Sequence, residues 1–144
     1  MARFDVLLVE DNPGDIKLTQ KAFEKSAPAS TLHVVTDGEI ALNYIFQRPP
    51  FEEAPRPDLV LLDINLPKVG GAEVLRAVKS DSDLRRIPVV MLTSSDREAD
   101  VRNAYDLHAN SYVTKPPSFG QLVELVEHLQ EYWFGVVRRP GHVG

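Results

Sequence analysis

The strongest constraint in this sequence is a set of five short apolar runs separated by stretches with helical periodicity. Three of the runs are continuous rather than alternating, which is typical of parallel strands covered by helices on both faces. This alternation predicts an α/β domain with a doubly wound, five-stranded parallel sheet and right-handed crossovers. The predicted strands are 6–9, 32–35, 59–62, 89–92 and 112–113, and the predicted helices are 14–26, 38–46, 71–79, 97–108 and 118–133.

Length and composition agree with one domain that has its own core. The chain has 144 residues, and 43% of them are hydrophobic. The absence of cysteine excludes disulfides and thiolate metal sites, and it fits a reducing cytoplasm. No signal segment or membrane-length apolar stretch is present, so we expect neither export nor membrane insertion. A net charge of -5 argues against a nucleic-acid partner.

Two irregular segments decide the domain limits. Residues 47–58, "QRPPFEEAPRPD", contain four prolines and mixed charges, which predicts a surface loop rather than a domain boundary. Only eleven residues follow Trp133, too few for a DNA-binding domain. We therefore expect a single domain over 1–144, with a core at 4–133 and a C-terminal extension at 134–144.

Polar side chains follow four of the predicted strands at the point where each strand ends. Glu10 and Asp11 follow the first, Asp63 the third, Thr93 the fourth and Lys115 the fifth. The carboxyl ends of parallel strands lie at one edge of a sheet, where ligands collect in folds of this class. These residues are expected to form one site. Ser95 or Asp96 is expected to cap the helix after the fourth strand.

The chemistry of this group points to a cation and a phosphoryl group. Three neighbouring carboxylates in a partly buried cleft repel one another unless a cation lies among them. Oxygen ligands without His or Cys select Mg²⁺, with Mn²⁺ as an alternative, and Mg²⁺ commonly completes its shell with water and phosphate oxygens. Lys115 adds a positive charge and Thr93 a hydroxyl donor. The sequence thus predicts a magnesium-dependent pocket for a phosphoryl group.

The segments "VED", "LVLLDINLP", "VVMLTSS" and "SYVTKP" occur in this order at the four strand ends. Together they resemble the receiver domain of two-component response regulators, over residues 4–133. The resemblance implies a flavodoxin-like fold and a sensor histidine kinase as phosphodonor. It also implies roles for particular residues: Asp63 as phosphoacceptor, Asp11 as a direct Mg²⁺ ligand, Glu10 as a ligand through water, the Asn65 backbone carbonyl as a further ligand, Thr93 and Lys115 on the phosphoryl oxygens, and Tyr112 as the aromatic that changes rotamer with Thr93.

Other features of the resemblance concern details and partners. The family commonly has a cis peptide bond at the position of Lys115–Pro116, although Pro117 departs from the usual continuation. The long loop at 47–58 and the tail "EYWFGVVRRP" are similar to those of small stand-alone regulators paired with cyanobacterial and bacterial phytochromes. A phytochrome is therefore a candidate for the cognate kinase.

Three rival classes share part of this pattern. A haloacid-dehalogenase-type phosphatase also uses a strand-end aspartate and Mg²⁺, but it needs a second acid two residues later, where this chain has Asn65. A flavodoxin-like electron carrier needs a phosphate-binding loop after the first strand, where "EDNPGD" would repel phosphate. A phosphate-independent receiver used as an interaction module would normally have lost Asp63, Lys115 or the acid pair, and this chain keeps them all.

The last helix suggests self-association. One face carries enough apolar residues to pack on the sheet, and further apolar residues widen the stripe and continue into the tail: Leu125, Tyr132, Phe134, Val136 and Val137. Either the tail folds back over its own core or the patch is exposed and pairs. The second alternative predicts a homodimer that buries about 800 Å² per partner.

Overall fold

Five parallel strands form one sheet at the centre of the molecule. The computed structural model describes residues 3–140, and within this range the strand order is β2-β1-β3-β4-β5. The strand order reverses between β1 and β3, which is the switch point of a doubly wound fold. The strands are β1 (Phe4–Val9), β2 (Ser30–Val35), β3 (Leu59–Leu62), β4 (Val89–Thr93) and β5 (Ser111–Thr114).

Five α-helices connect and cover the strands, and three of them begin at a side-chain cap. Asn12, Asp37 and Ser118 each accept a hydrogen bond from a backbone N–H in the first helical turn, which satisfies a donor that the helix leaves unpaired. The helices are α1 (Pro13–Ser26), α2 (Gly38–Ile45), α3 (Gly71–Ser80), α4 (Glu98–Asp106) and α5 (Phe119–Glu131), with a 3₁₀ turn at Leu84–Arg86.

Successive residues of the central strands pack on opposite faces of the sheet. In β1, Leu7 and Val9 pack with α2, α3 and α4, whereas Val6 and Leu8 pack with α1 and α5. All four side chains are buried. This double burial explains why the strand is a continuous apolar run instead of an alternating one.

The fold predicted from the sequence is confirmed, with differences at the ends of elements. The loop at 47–58 contains neither a helix nor a strand. The last helix was expected to continue to residue 133, but α5 ends at Glu131, and a π-helical turn follows at Tyr132–Val136. Among the described residues the one cis peptide bond joins Pro49 to Pro50. Lys115–Pro116, for which the family resemblance implied a cis bond, is therefore trans.

The tail after α5 folds back onto the start of β1. The Phe134 ring stacks on Phe4 with centroids 4.2 Å apart, and the Arg139 guanidinium lies over both rings. Arg139 Nη1 also lies 3.0 Å from Asp58 Oδ1. The fold-back alternative is therefore correct for Phe134, while Tyr132 and Val136 remain 51% and 67% exposed. Between residues 3 and 140, no helix is both long and apolar enough to span a membrane.

Candidate functional site

The predicted site residues follow the strands at the carboxyl edge of the sheet, and backbone hydrogen bonds extend the ladder to hold them. The Asp63 N–H donates to the Val9 carbonyl oxygen at 3.2 Å, and the Lys115 N–H donates to the Thr93 carbonyl oxygen at 2.8 Å. Each residue is thus carried by a rigid strand instead of a free loop. The sheet determines which side chains meet.

Three carboxylates meet at this edge. Glu10, Asp11 and Asp63 each offer one oxygen, and these oxygens all lie within 4.8 Å of one another. Glu10 and Asp63 are only 2% and 5% exposed, whereas Asp11 is exposed. Burial raises the pKa of Glu10 above its ordinary value, and its bonds to Lys115 and to the Asn12 N–H only partly offset this rise. An all-oxygen donor set of this size fits a hard divalent cation.

Lys115 supplies the positive charge of the site. Its Nζ lies 2.5 Å from Glu10 Oε2, 2.9 Å from Asp15 Oδ2 and 3.0 Å from Asp63 Oδ2. Burial by itself lowers the pKa of Lys115, but the three hydrogen bonds outweigh it, and the pKa is raised above its ordinary value. The ammonium therefore stays protonated at any physiological pH, as a fixed cation beside Asp63.

Short backbone contacts orient two of the carboxylates. The Asn65 N–H donates to Asp63 Oδ1 at 3.3 Å, and the Asn12 N–H donates to Glu10 Oε1 at 3.1 Å. Asn65 thus lies beside the Asp63 carboxylate. That its carbonyl binds the metal stays a prediction.

Thr93 and Tyr112 lie on β4 and β5, on the other side of Asp63 from β1. Thr93 is fully buried, and its Oγ1 lies 3.4 Å from the Ser95 backbone nitrogen, which donates to it. The Tyr112 hydroxyl donates to the Ser95 carbonyl oxygen at 2.8 Å. Both side chains therefore contact the same residue of the β4–α4 loop.

The expected cap of α4 is wrong. Arg97 occupies the N-cap position of this helix and makes no side-chain cap bond. The Ser95 hydroxyl instead donates to Asp100 Oδ2 at 2.5 Å, and Arg97 Nε lies 3.1 Å from the same oxygen. The start of α4 is therefore held by side-chain bonds to its first turn and not by a cap.

Sequence reasoning assigned no role to two residues that shape the site. Asp15 is the third acid of "EDNPGD", and its contact with Lys115 depends on the fold. Gly71 begins α3, and a Cβ added there would overlap the Asp63 carbonyl oxygen. The pair Gly70-Gly71 is a visible signal for such a close approach, since glycine lets another part of the backbone come near.

Comparisons with known proteins agree with this geometry. The family model described as "Response regulator receiver domain" matches residues 6–127. The chain therefore belongs to the response regulator receiver family. It is a signalling protein of the two-component class.

Two curated relatives cover nearly the whole chain. The chain is 42% identical to response regulator Rcp1 of Synechocystis sp. over 135 residues, which are 94% of this chain and 92% of Rcp1. It is 45% identical to the probable methanogenesis regulatory protein FilR2 of Methanothrix harundinacea over 140 residues, 96% of this chain and 88% of FilR2. The chain is therefore about equally similar in sequence to two regulators that have different names.

Solved structures give the same family. The phosphorylated cyanobacterial phytochrome response regulator RcpA has a TM-score of 0.92 at 44% identity, covering 97% of this chain and all of RcpA. The Mn²⁺-bound form of Rcp1 has a TM-score of 0.88 at 40% identity, covering 96% of this chain and 99% of Rcp1. The first was solved phosphorylated and the second with a divalent metal. The acidic cluster of this chain agrees with divalent metal binding.

Proposed function

We propose that Asp63 is the residue that accepts the phosphoryl group, from a phosphohistidine of a sensor histidine kinase. The observation that carries this proposal is the position of Asp63, which is the one carboxylate that belongs to the acidic cluster and also follows β3 at the centre of the sheet. Lys115 Nζ is 3.0 Å from its Oδ2. This is the arrangement of a nucleophile with a cation ready beside it.

Each residue then has a task in the transfer. An Asp63 oxygen forms a bond to phosphorus while the bond from phosphorus to the histidine nitrogen breaks, and the product is an acyl phosphate. Lys115 neutralises charge on the transferred group. Glu10, Asp11, Asp63 and the Asn65 carbonyl would hold Mg²⁺, and the bound ion supplies further positive charge for the phosphoryl oxygens. The protein aligns these groups for its own phosphorylation and does not act as a multiple-turnover enzyme.

We propose that Thr93 and Tyr112 pass the state of Asp63 to the surface. Thr93 is buried at the end of β4, and Tyr112 contacts the β4–α4 loop through the Ser95 carbonyl. A hydrogen bond from the Thr93 hydroxyl to the phosphoryl group would move this loop. The movement would change the hydrogen bond between Tyr112 and the Ser95 carbonyl, and with it the rotamer of Tyr112. The output is therefore a change of protein–protein contacts and involves no nucleic acid or membrane.

The proposed partners are a sensor histidine kinase, a downstream protein and a second copy of this chain. A phytochrome kinase is the donor that the RcpA likeness favours, whereas the name of FilR2 mentions no phytochrome. Phosphotransfer from a phytochrome kinase to this chain would test this choice of donor. We place the protein in the cytoplasm, as one receiver domain over 1–144. It would pair as a homodimer through the exposed apolar residues Tyr132 and Val136, which follow α5.

The function is tested by incubating the protein with Mg²⁺ and acetyl phosphate and measuring its intact mass. Wild type should gain one phosphoryl group, and Asp63→Asn should gain none, because its amide is not a nucleophile. EDTA should stop labelling of wild type. Asp58→Asn is the matched control and should still be labelled, since Asp58 lies at the opposite edge of the sheet, where it bonds the Asp5 N–H.

Two results would contradict the proposal. Labelling of Asp63→Asn at the wild-type rate would move the acceptor to another residue. A wild-type protein that takes up no phosphate from acetyl phosphate or from a phytochrome kinase would favour the phosphate-independent interaction module.

A further inference from the structure

Asp15 lies in the first turn of α1, where other residues fix its backbone. Asn12 Oδ1 accepts a hydrogen bond from the Asp15 N–H at 2.9 Å, and the buried Thr19 donates its hydroxyl to the Asp15 carbonyl oxygen at 2.7 Å. The start of the helix therefore positions Asp15, independently of its carboxylate. The helix dipole favours an acid in the first turn, but it does not explain which cation this acid binds.

The Asp15 carboxylate shares one ammonium with the phosphoacceptor. Lys115 Nζ lies 2.9 Å from Asp15 Oδ2 and 3.0 Å from Asp63 Oδ2. The Asp15 side chain is 40% exposed, whereas that of Asp63 is 7% exposed, so Asp15 lies nearer the solvent. It is not one of the three acids whose oxygens cluster around a metal position. Asp15 thus adds a negative charge at the entrance to the site.

We propose that Asp15 is a positioning residue that selects among phosphodonors, an inference that rests on Asp63 being the acceptor. Asp15 draws the Lys115 ammonium toward α1 and places a fixed negative charge where the donor must pass. Both effects oppose small donors that carry two negative charges. A donor protein offsets this repulsion through contacts over its surface, whereas a small molecule has no such contacts.

Coulomb's law gives the size of the effect. A unit charge about 6 Å away in a water-like dielectric changes a rate roughly threefold for each charge on the donor. Acetyl phosphate carries two net negative charges at neutral pH, and phosphoramidate carries one. Removing the Asp15 charge should therefore accelerate transfer roughly tenfold from acetyl phosphate and roughly threefold from phosphoramidate.

The experiment measures the labelling rate by intact mass with each donor, at a Mg²⁺ concentration that saturates each variant. Asp15→Asn and Asp15→Ser remove the charge and should show the unequal acceleration. Asp15→Glu restores the charge and should return the rates to within about twofold of wild type. Glu24→Gln is the matched control, since it removes one exposed acid from the same helix, and it should leave both rates unchanged.

A merely structural role would give a different pattern. Equal changes with both donors, slower labelling of Asp15→Asn, or a rate for Asp15→Glu equal to that of Asp15→Asn would each overturn the inference. If neither wild type nor the Asp15 variants are labelled by either small donor or by a phytochrome kinase, the assignment of Asp63 as acceptor fails and the inference fails with it. A labelled wild type with no effect at Asp15 overturns the inference alone.

Discussion

At the scale of single residues, Lys79 is a half-buried cation to which no acid among residues 3–140 is bound. Its Nζ donates to the carbonyl oxygens of Arg85 and Ile87 and to Asn110 Oδ1, at 3.0, 2.7 and 3.0 Å. The ammonium joins the end of α3 to the segment before β4 and to the start of β5. Burial lowers the pKa of Lys79 from 10.5 to about 8.

The lowered pKa of Lys79 makes stability depend on pH. Above pH 8 the folded protein releases this proton, while the unfolded chain keeps it up to about 10.5, so the free energy of unfolding should rise with pH in this window. After a discount for solvent screening, we expect a rise of about 1 kcal/mol between pH 8 and 10, measured by urea unfolding against Lys79→Met. Lys17→Met, at an exposed lysine, should keep the rise. An equal slope in Lys79→Met would contradict the prediction.

At the scale of elements, α4 ends in a Schellman motif with a residue that is poorly suited to it. The Ala109 N–H donates to the Ala104 carbonyl oxygen and the His108 N–H to that of Tyr105. His108 has a φ of 71°, in the left-handed region, where a side chain costs about 1–2 kcal/mol. The side chain is exposed, so its removal loses little packing.

His108→Gly should therefore stabilise the protein. Relief of the left-handed conformation outweighs the extra entropy of glycine in the unfolded chain, and we expect a gain of about 0.5–1 kcal/mol in the free energy of unfolding. Thermal and urea unfolding measure it. Arg102→Gly, at an exposed position inside the same helix, should destabilise instead. If His108→Gly were less stable than wild type, the prediction would be wrong, and the imidazole would have to stabilise the folded protein despite its exposure.

At the scale of the whole molecule, the proposed homodimer depends on the exposed part of the apolar patch. Phe134 is covered by Phe4, whereas Tyr132 and Val136 are exposed. Tyr132→Glu combined with Val136→Glu should weaken the proposed homodimer at least about tenfold in sedimentation equilibrium, because charged side chains would have to leave water. Leu18→Glu changes an exposed apolar residue on α1 and should leave the dimer intact. A wild-type protein that sediments as a monomer, both phosphorylated and unphosphorylated, would end the dimer proposal.

The sequence by itself determined the fold class and most of the candidate site. Because β1 and β3 are buried on both faces, their sequences are continuous apolar runs, and both strands can be recognised from the sequence alone. Strand ends are equally visible, because a polar residue such as Asp63 or Lys115 must interrupt the run. Since parallel strands share one carboxyl edge, the meeting of Glu10, Asp11, Asp63 and Lys115 could be predicted.

Only the tertiary structure decided the contacts that depend on the spacing of elements packed side by side. The approach of Asp15 to Lys115 depends on how α1 lies beside the end of β5, one hundred residues later in the chain. The close packing of Gly71 on the Asp63 carbonyl and the contact of Phe134 with Phe4 have the same origin. Periodicity shows which face of an element is buried, but side-chain volumes in the assembled core set the distances between elements.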